Sequence, residues 1–365
     1  MIYVVGITIT FFLVFILVNK KNKSTADTIL TAWLSTTGLH LLLYYIYSSS
    51  KYVTFPFFLG LEIPLPLLHG PFLYLYTVAL TNQEYKKKIN ILHFIPFALA
   101  LLSLFPFFVL SFPKKIKVYQ EEGKSYELLN SVIFIAIILS GIFYTIMSLQ
   151  KLEKHRKAIG EQFSSTEKIN LKWLSYLILG LSVIWVLVFF RIDKYIFSAV
   201  VFYVLFIGYF GIKQVNIFTN IAPQIPDEII IDVQPEKIKY EKSKISTDEA
   251  NAIYQKLSVL MQIEKIYTDP ELTLPYLAQK INVHPNTLSQ IINSVEQKNF
   301  YDYINHQRVE EFKRLIPQSE NQKFTLLALA FECGFNSKTA FNRNFKKATN
   351  LSPTEYLKQA NISLV

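Results

Sequence analysis

Long apolar runs fill the first 215 residues and limit what the chain can become. Seven stretches can be drawn, roughly 2–18, 28–47, 55–80, 91–112, 128–149, 171–190 and 195–212. Each is close to the roughly 20 residues an α-helix needs to cross about 30 Å of hydrocarbon. Inside hydrocarbon the backbone must satisfy its own hydrogen bonds, so such runs predict helices. Residues 1–214 are therefore expected to form a seven-helix transmembrane domain. The first stretch has no basic residue before its apolar core and no small-residue cleavage pattern. Lys20, Lys21 and Lys23 follow it, so it reads as a retained anchor rather than a removed leader.

Loop charge sets the expected orientation. The first, third and fifth connections carry 12 Lys and Arg, among them Lys86, Lys87 and Lys88 and the group Lys151, Lys154, Arg156, Lys157, Lys168 and Lys172. The even-numbered connections carry 7, diluted by Glu121, Glu122, Glu127 and Asp193, although Lys114, Lys115 and Lys117 pull the other way. The positive-inside rule then puts the N-terminus outside a cytoplasmic membrane and the C-terminus in the cytoplasm.

Polar side chains inside apolar spans are costly unless paired or wetted, so they mark candidate sensing positions. Glu62, between Leu61 and the prolines Pro64 and Pro66, and His69 are the candidates, with His40 nearby in the pattern. For the two histidines a helix-packing hydrogen bond is the competing reading. His40, His69 and His93 fall at different depths in this drawing, which disfavours a shared metal ion. No nucleophile–base or carboxylate pair can be placed at one depth, so no enzyme, metal or cofactor is expected.

The chain's net charge of +10 looks like a nucleic-acid signal until it is divided by region. Residues 246–365 hold 13 Lys and Arg against 12 Asp and Glu, so the excess belongs to the first 245. Any case for DNA must rest on where charge is placed. Residues 215–246, with Pro223, Pro226 and Pro235, read as a cytoplasmic linker. A helix is expected from Thr247 to about Ile266, with Ile253, Leu257, Leu260 and Met261 on one face.

From residue 272 the pattern sharpens. Thr273 can cap a helix with Pro275 in its first turn, and Leu274, Leu277, Ala278 and Ile281 form its buried face. After a turn at Asn282-Val283, residues 284–292 form a second helix. It buries Leu288, Ile291 and Ile292 and leaves Asn286, Thr287, Ser289 and Gln290 to read DNA. The pattern returns about 50 residues on. Residues 325–332 make a first helix with Ala330 at the crossing, and Cys333-Gly334-Phe335 makes the turn. Residues 337–348 then expose Lys338, Thr339, Asn342, Arg343, Lys346 and Lys347. No acidic residue lies between Glu332 and Glu355, so this helix is a local phosphate-seeking surface. A long amphipathic helix from Phe300 through Leu315 would hold the two reading helices apart. Cys333, the single cysteine, reads as packing.

Residues 272–360 resemble the AraC-type transcription regulator domain. The resemblance is carried by Ala330-Phe331-Glu332-Cys333-Gly334-Phe335-Asn336-Ser337, by Phe341-Asn342-Arg343-Asn344-Phe345-Lys346-Lys347, by Ser352-Pro353-Thr354-Glu355-Tyr356, and by the linker-helix stretch Asn299 to Asn305 with Arg308-Val309. The whole chain is similar to membrane-anchored members from Bacteroidetes-type bacteria, with Leu68-His69-Gly70-Pro71-Phe72-Leu73-Tyr74 as a shared membrane segment. Two departures are visible: Asn350 stands where the family usually has Gly, and the first reading helix lacks outward Arg or Lys. The resemblance implies an all-α protein whose double helix-turn-helix domain, residues 247–365, binds promoter DNA, while the membrane domain receives a signal ligand. Further expected partners are the lipid bilayer and a second copy of the chain. The competing reading is a membrane receptor or transporter whose tail binds a protein.

Overall fold

The computed structural model describes residues 2–81, 91–213, 246–321 and 323–360. The expected linker lies outside the described residues except for Ser246, and so do Lys86, Lys87 and Lys88. The chain divides into two compact units, and the division does not follow sequence order. Lys154–Asn170 groups with the C-terminal residues, not with the apolar helices on either side of it. Among the described residues the fold is helical, with one isolated β-bridge between Phe163 and Thr273.

The first unit contains α1 (Ile2–Asn19), α2 (Thr25–Ser48), α3 (Pro66–Leu80), α4 (Ile95–Ser103), α5 (Phe105–Phe108), α6 (Phe112–Gln120), the greater part of α7 (Glu127–Gln162), α8 (Lys172–Phe189) and α9 (Asp193–Lys213). Among the described residues, five helices are long and apolar enough to cross a membrane: α1, α2, α7, α8 and α9. The third and fourth sequence stretches are interrupted. Residues 55–65 form a short 3-10 turn and irregular backbone, and α3 begins only at Pro66. Proline lacks the N–H a helix interior needs but fits the first turn, so Pro64 and Pro66 open a helix here instead of lying within one. Pro96 and Pro106 likewise start α4 and α5.

Close approach and polar stitching hold this unit together. A Cβ on Gly6 would meet Val201 Cγ2 at 2.5 Å, so α1 and α9 can touch only because residue 6 has no side chain. At the start of α2, Ser24 Oγ accepts from the Asp27 N–H (3.1 Å) and the Asp27 carboxylate accepts from the Ser24 N–H (2.8 Å). That is a reciprocal capping box. Lys20 then pairs with Asp27 at 2.8 Å, with both side chains only 6% exposed. Large apolar side chains face outward: Phe12, Phe15, Leu102, Phe105, Leu179 and Phe202 are all more than half exposed. A water-soluble unit rarely shows so continuous an apolar exterior.

The second unit contains α10 (Thr247–Val259), α11 (Leu274–Lys280), α12 (Pro285–Glu296), α13 (Phe300–Leu315), α14 (Leu326–Glu332), α15 (Lys338–Thr349) and α16 (Pro353–Ala360). The expected helix through Ile266 stops at Val259 and widens into a π turn over Leu260–Glu264, but its four apolar residues are buried as expected. There are two cores, and α13 serves both. Phe300, Tyr303 and Ile304 enter the first, while Val309 and Phe312 enter the second. One rigid helix thus fixes the separation of two lobes.

The lobes repeat each other in the cap and the turn of their first helices. Thr273 caps α11 by accepting from the Tyr276 N–H, and Thr325 caps α14 by accepting from the Ala328 N–H. At the turns, the Val283 N–H donates to Ala278 O (3.0 Å) and the Phe335 N–H donates to Ala330 O (3.1 Å). These are the six-to-one bonds of a Schellman ending, which needs a left-handed residue in between. Asn282 (φ 55°) supplies it in the first lobe and Gly334 (φ 95°) in the second. Asn350, at φ 59°, takes the same conformation where the resembled family has Gly.

Candidate nucleic-acid interface

Burial of alternate helix faces decides what each reading helix presents. On α12, Leu288, Ile291 and Ile292 are buried, which leaves Asn286 and Gln290 exposed and Thr287 and Ser289 half-buried. His284 precedes it as N-cap, its ring nitrogen accepting from the Asn286 N–H at 3.2 Å. On α15, Ala340, Phe341, Asn344 and Phe345 are buried, and Lys338, Thr339, Asn342, Arg343, Lys346 and Lys347 are all exposed. Each predicted reading residue therefore lies on its helix's outer side. The two faces differ in charge: α15 presents four cations and the expected reading positions of α12 none.

Neighbouring side chains hold two of the α15 cations, Arg343 and Lys347, in place. Arg343 donates to Tyr301 Oη at 2.5 Å and to Glu167 at 2.6 Å, with its guanidinium 5.6 Å from the Tyr301 ring centre. Asn344 donates to the same phenol oxygen at 2.6 Å, and Lys347 pairs with Asp302 at 2.6 Å. The sequence reading missed Tyr301, Asp302 and Asn344 in this role, because each looks locally like a residue of an ordinary amphipathic helix.

Arg308 on α13 is 1% exposed, and its hydrogen bonds run to carbonyl, hydroxyl and amide oxygens. Its guanidinium donates to Tyr267 O (2.7 Å), Asp269 O (2.7 Å), Ser164 O (3.2 Å), Ser164 Oγ (3.1 Å) and Asn305 Oδ1 (3.3 Å). Burial lowers its pKa to about 10, still high enough to stay charged at neutral pH. Cys333 is buried, and burial, followed by the nearby Glu311, pushes its thiol up to about 12. That leaves almost no thiolate, in keeping with a packing role.

In the first unit, Glu62 accepts from the Gly60 N–H (3.1 Å) and from the Tyr119 hydroxyl of α6. His69 accepts from Trp33 Nε1 at 3.2 Å, and its other nitrogen faces His40 Nδ1 at 3.2 Å. The drawing that separated His40 from His69 by depth is corrected here. Because α3 starts at Pro66 and not near residue 55, His69 sits in its first turn and reaches α2. His93 lies elsewhere, against the Tyr144 hydroxyl at 2.9 Å. Among the described residues no three His, Cys, Asp or Glu side chains gather in a way that could hold a metal ion.

A family model described as a helix-turn-helix domain matches residues 277–359. Over these residues the chain is similar to helix-turn-helix domains, in line with the expected resemblance to the AraC type. An uncharacterised HTH-type transcriptional regulator of Escherichia coli (strain K12), YijO, is 34% identical over 88 residues, covering 24% of this chain. The match spans 30% of that relative's length, so the likeness is confined to this domain. A solved structure of a protein of unknown function from Listeria innocua is 25% identical and covers 29% of this chain and 95% of that one. Its TM-score of 0.25 is too low to argue from. The Escherichia coli relative is named as a transcriptional regulator, and the likeness to it lies within the helix-turn-helix region.

Proposed function

We propose that this chain is a membrane-embedded, sequence-specific DNA-binding transcription regulator whose apolar unit senses a signal. The observation that carries this reading is the repeat of two helix-turn-helix lobes, with matching caps and turns, on one shared helix, in a chain that also holds, among the described residues, five long helices with apolar exteriors. Two recognition helices held by one rigid element suit successive major grooves of double-stranded DNA. Arg343 is assigned the base contact, bidentate to guanine, with Lys338, Thr339 and Asn342 beside it and Lys346 and Lys347 on phosphates. Asn286, Thr287, Ser289 and Gln290 read the other groove. The orientation is N-terminus outside and C-terminus in the cytoplasm, with the sixth and seventh crossings assigned to the interrupted stretches around α3 and α4. Glu62 and His69, both held by partners from other elements, are the sensing candidates.

The test uses full-length protein in lipid nanodiscs and DNA fragments selected from the host genome. Arg343→Ala should cost about 1–3 kcal/mol at one base step, and Lys347→Ala should weaken all sequences alike and lower the salt slope by about one. A protein with no salt-dependent affinity for any fragment would instead fit a tail that binds a protein partner.

A further inference from the structure

Residues 154–170, the C-terminal end of α7 together with most of the connection to α8, are built into the second unit as a strap. The strap is tied to itself where the His155 ring meets Ile169 O (2.9 Å) and Arg156 Nε donates to Asn170 O (3.0 Å). Its middle is gripped by the shared helix: Arg308 and Asn305 both donate to Ser164 O, and the Ser164 N–H donates to Leu272 O at 3.1 Å. Its two acidic residues land on the two reading helices. Ser289 of α12 donates to Glu161 at 3.3 Å, and Arg343 of α15 is paired with Glu167 at 2.6 Å. Beside them, Asn336, in the turn just before α15, donates to Ser165 Oγ at 2.6 Å.

We propose that this strap is an autoinhibitory element that occupies both reading helices through Glu161 and Glu167, and that DNA must displace it. The proposal rests on the DNA-binding reading above. A strap with only a structural role would need the buried bonds at Ser164 and nothing more. Neither carboxylate hydrogen-bonds a fully buried side chain, yet each contacts a side chain assigned to read a base. A carboxylate on Arg343 takes the acceptor position that a guanine edge or a phosphate would take, and its charge repels phosphates nearby. Apparent affinity for DNA is then the intrinsic affinity scaled by the fraction of molecules with the strap lifted. The strap joins the apolar helices at both ends, so a signal there has a covalent route to that fraction.

The experiment compares wild-type protein with Glu161→Gln/Glu167→Gln, both full-length in nanodiscs of one lipid composition, on genome-selected fragments. Loss of two partly exposed polar contacts should tighten DNA binding by roughly three- to tenfold. A second variant, Ser165→Cys/Asn336→Cys, tethers the strap when oxidised; it should lose DNA affinity when oxidised and regain it when reduced. Equal affinity of wild type and the Gln pair, together with equal affinity of the tethered and reduced forms, overturns the strap proposal and leaves DNA binding intact. Absence of salt-dependent binding in every form overturns the DNA-binding reading itself, and the strap proposal with it.

Discussion

Arg308→Met tests whether a buried cation on backbone carbonyls holds the helix-turn-helix unit together. The change removes five hydrogen bonds, two of them at 2.7 Å to the carbonyls of Tyr267 and Asp269. Ser164 O keeps its bond from Asn305 at 2.9 Å, so the loss falls mainly on the segment between α10 and α11. Hydrogen bonds from a charged donor contribute about 1.5–3 kcal/mol each, offset partly because Met avoids the cost of burying a guanidinium. A net loss of about 3 kcal/mol follows, which raises the population of opened unit roughly 100-fold. Cys333 gives the assay. It is the single cysteine of the chain and fully buried, so a slow thiol reagent added to protein in nanodiscs labels only molecules whose C-terminal unit has opened. Labelling of Arg308→Met should be about 100 times faster than wild type. Arg308→Lys, which keeps the charge but can reach fewer carbonyls, should fall between. A wild-type labelling rate in Arg308→Met would refute the assignment of these bonds as a structural clamp.

The same labelling assay separates the two turns. Gly334→Ala puts a Cβ 2.5 Å from Tyr267 O and 2.8 Å from Thr268 Cα at a φ of 95°; both neighbours are backbone, so a loss of about 2 kcal/mol or more is expected. Asn282→Gly keeps the left-handed conformation and should change stability by less than about 0.5 kcal/mol. Glu311 titrates in a direction that fixes its pH signature. Hydrogen bonds from Arg314, then Lys265, outweigh burial and lower its carboxyl to about 2. Its contribution is therefore complete above the unfolded value near 4.5 and is lost as pH falls toward 2. Because both partners are more than a third exposed, about 1–2 kcal/mol is expected; Glu311→Gln should lose that much at pH 7 and progressively less toward pH 3 in urea titrations.

Much of the fold was legible because it is written in local patterns. The lobes were found from caps, small crossing residues and apolar spacing, and Thr273, Ala278, Ala330 and Gly334 do what that spacing requires. The apolar stretches were visible as hydropathy, but hydropathy is blind to where a helix starts. The stretch from 55 to 80 is as apolar as a crossing helix, yet Pro64 and Pro66 delay α3 until residue 66, which leaves a helix too short to cross on its own. That one boundary also moved His69 beside His40 and made the depth argument fail.

The site was legible only on one side. Outward positions on α12 and α15 follow from helical period, whereas what lies against them depends on pairs 128 and 176 positions apart, which no local pattern encodes. Composition even pointed away from the strap. Its connection carries six Lys and Arg, the excess on which the expected cytoplasmic orientation rests, and a basic loop is a poor stand-in for DNA. Placement decides the matter in the loop as it does in the domain. The near-neutral C-terminal region still gathers four cations on α15, and the basic loop still directs its Glu161 and Glu167 carboxylates at Ser289 and Arg343. The same arrangement explains how the strap can remain a weak lock. Two partly exposed contacts hold the reading helices, a strength that promoter DNA with many phosphates can overcome and that a modest shift in the flanking helices can tip.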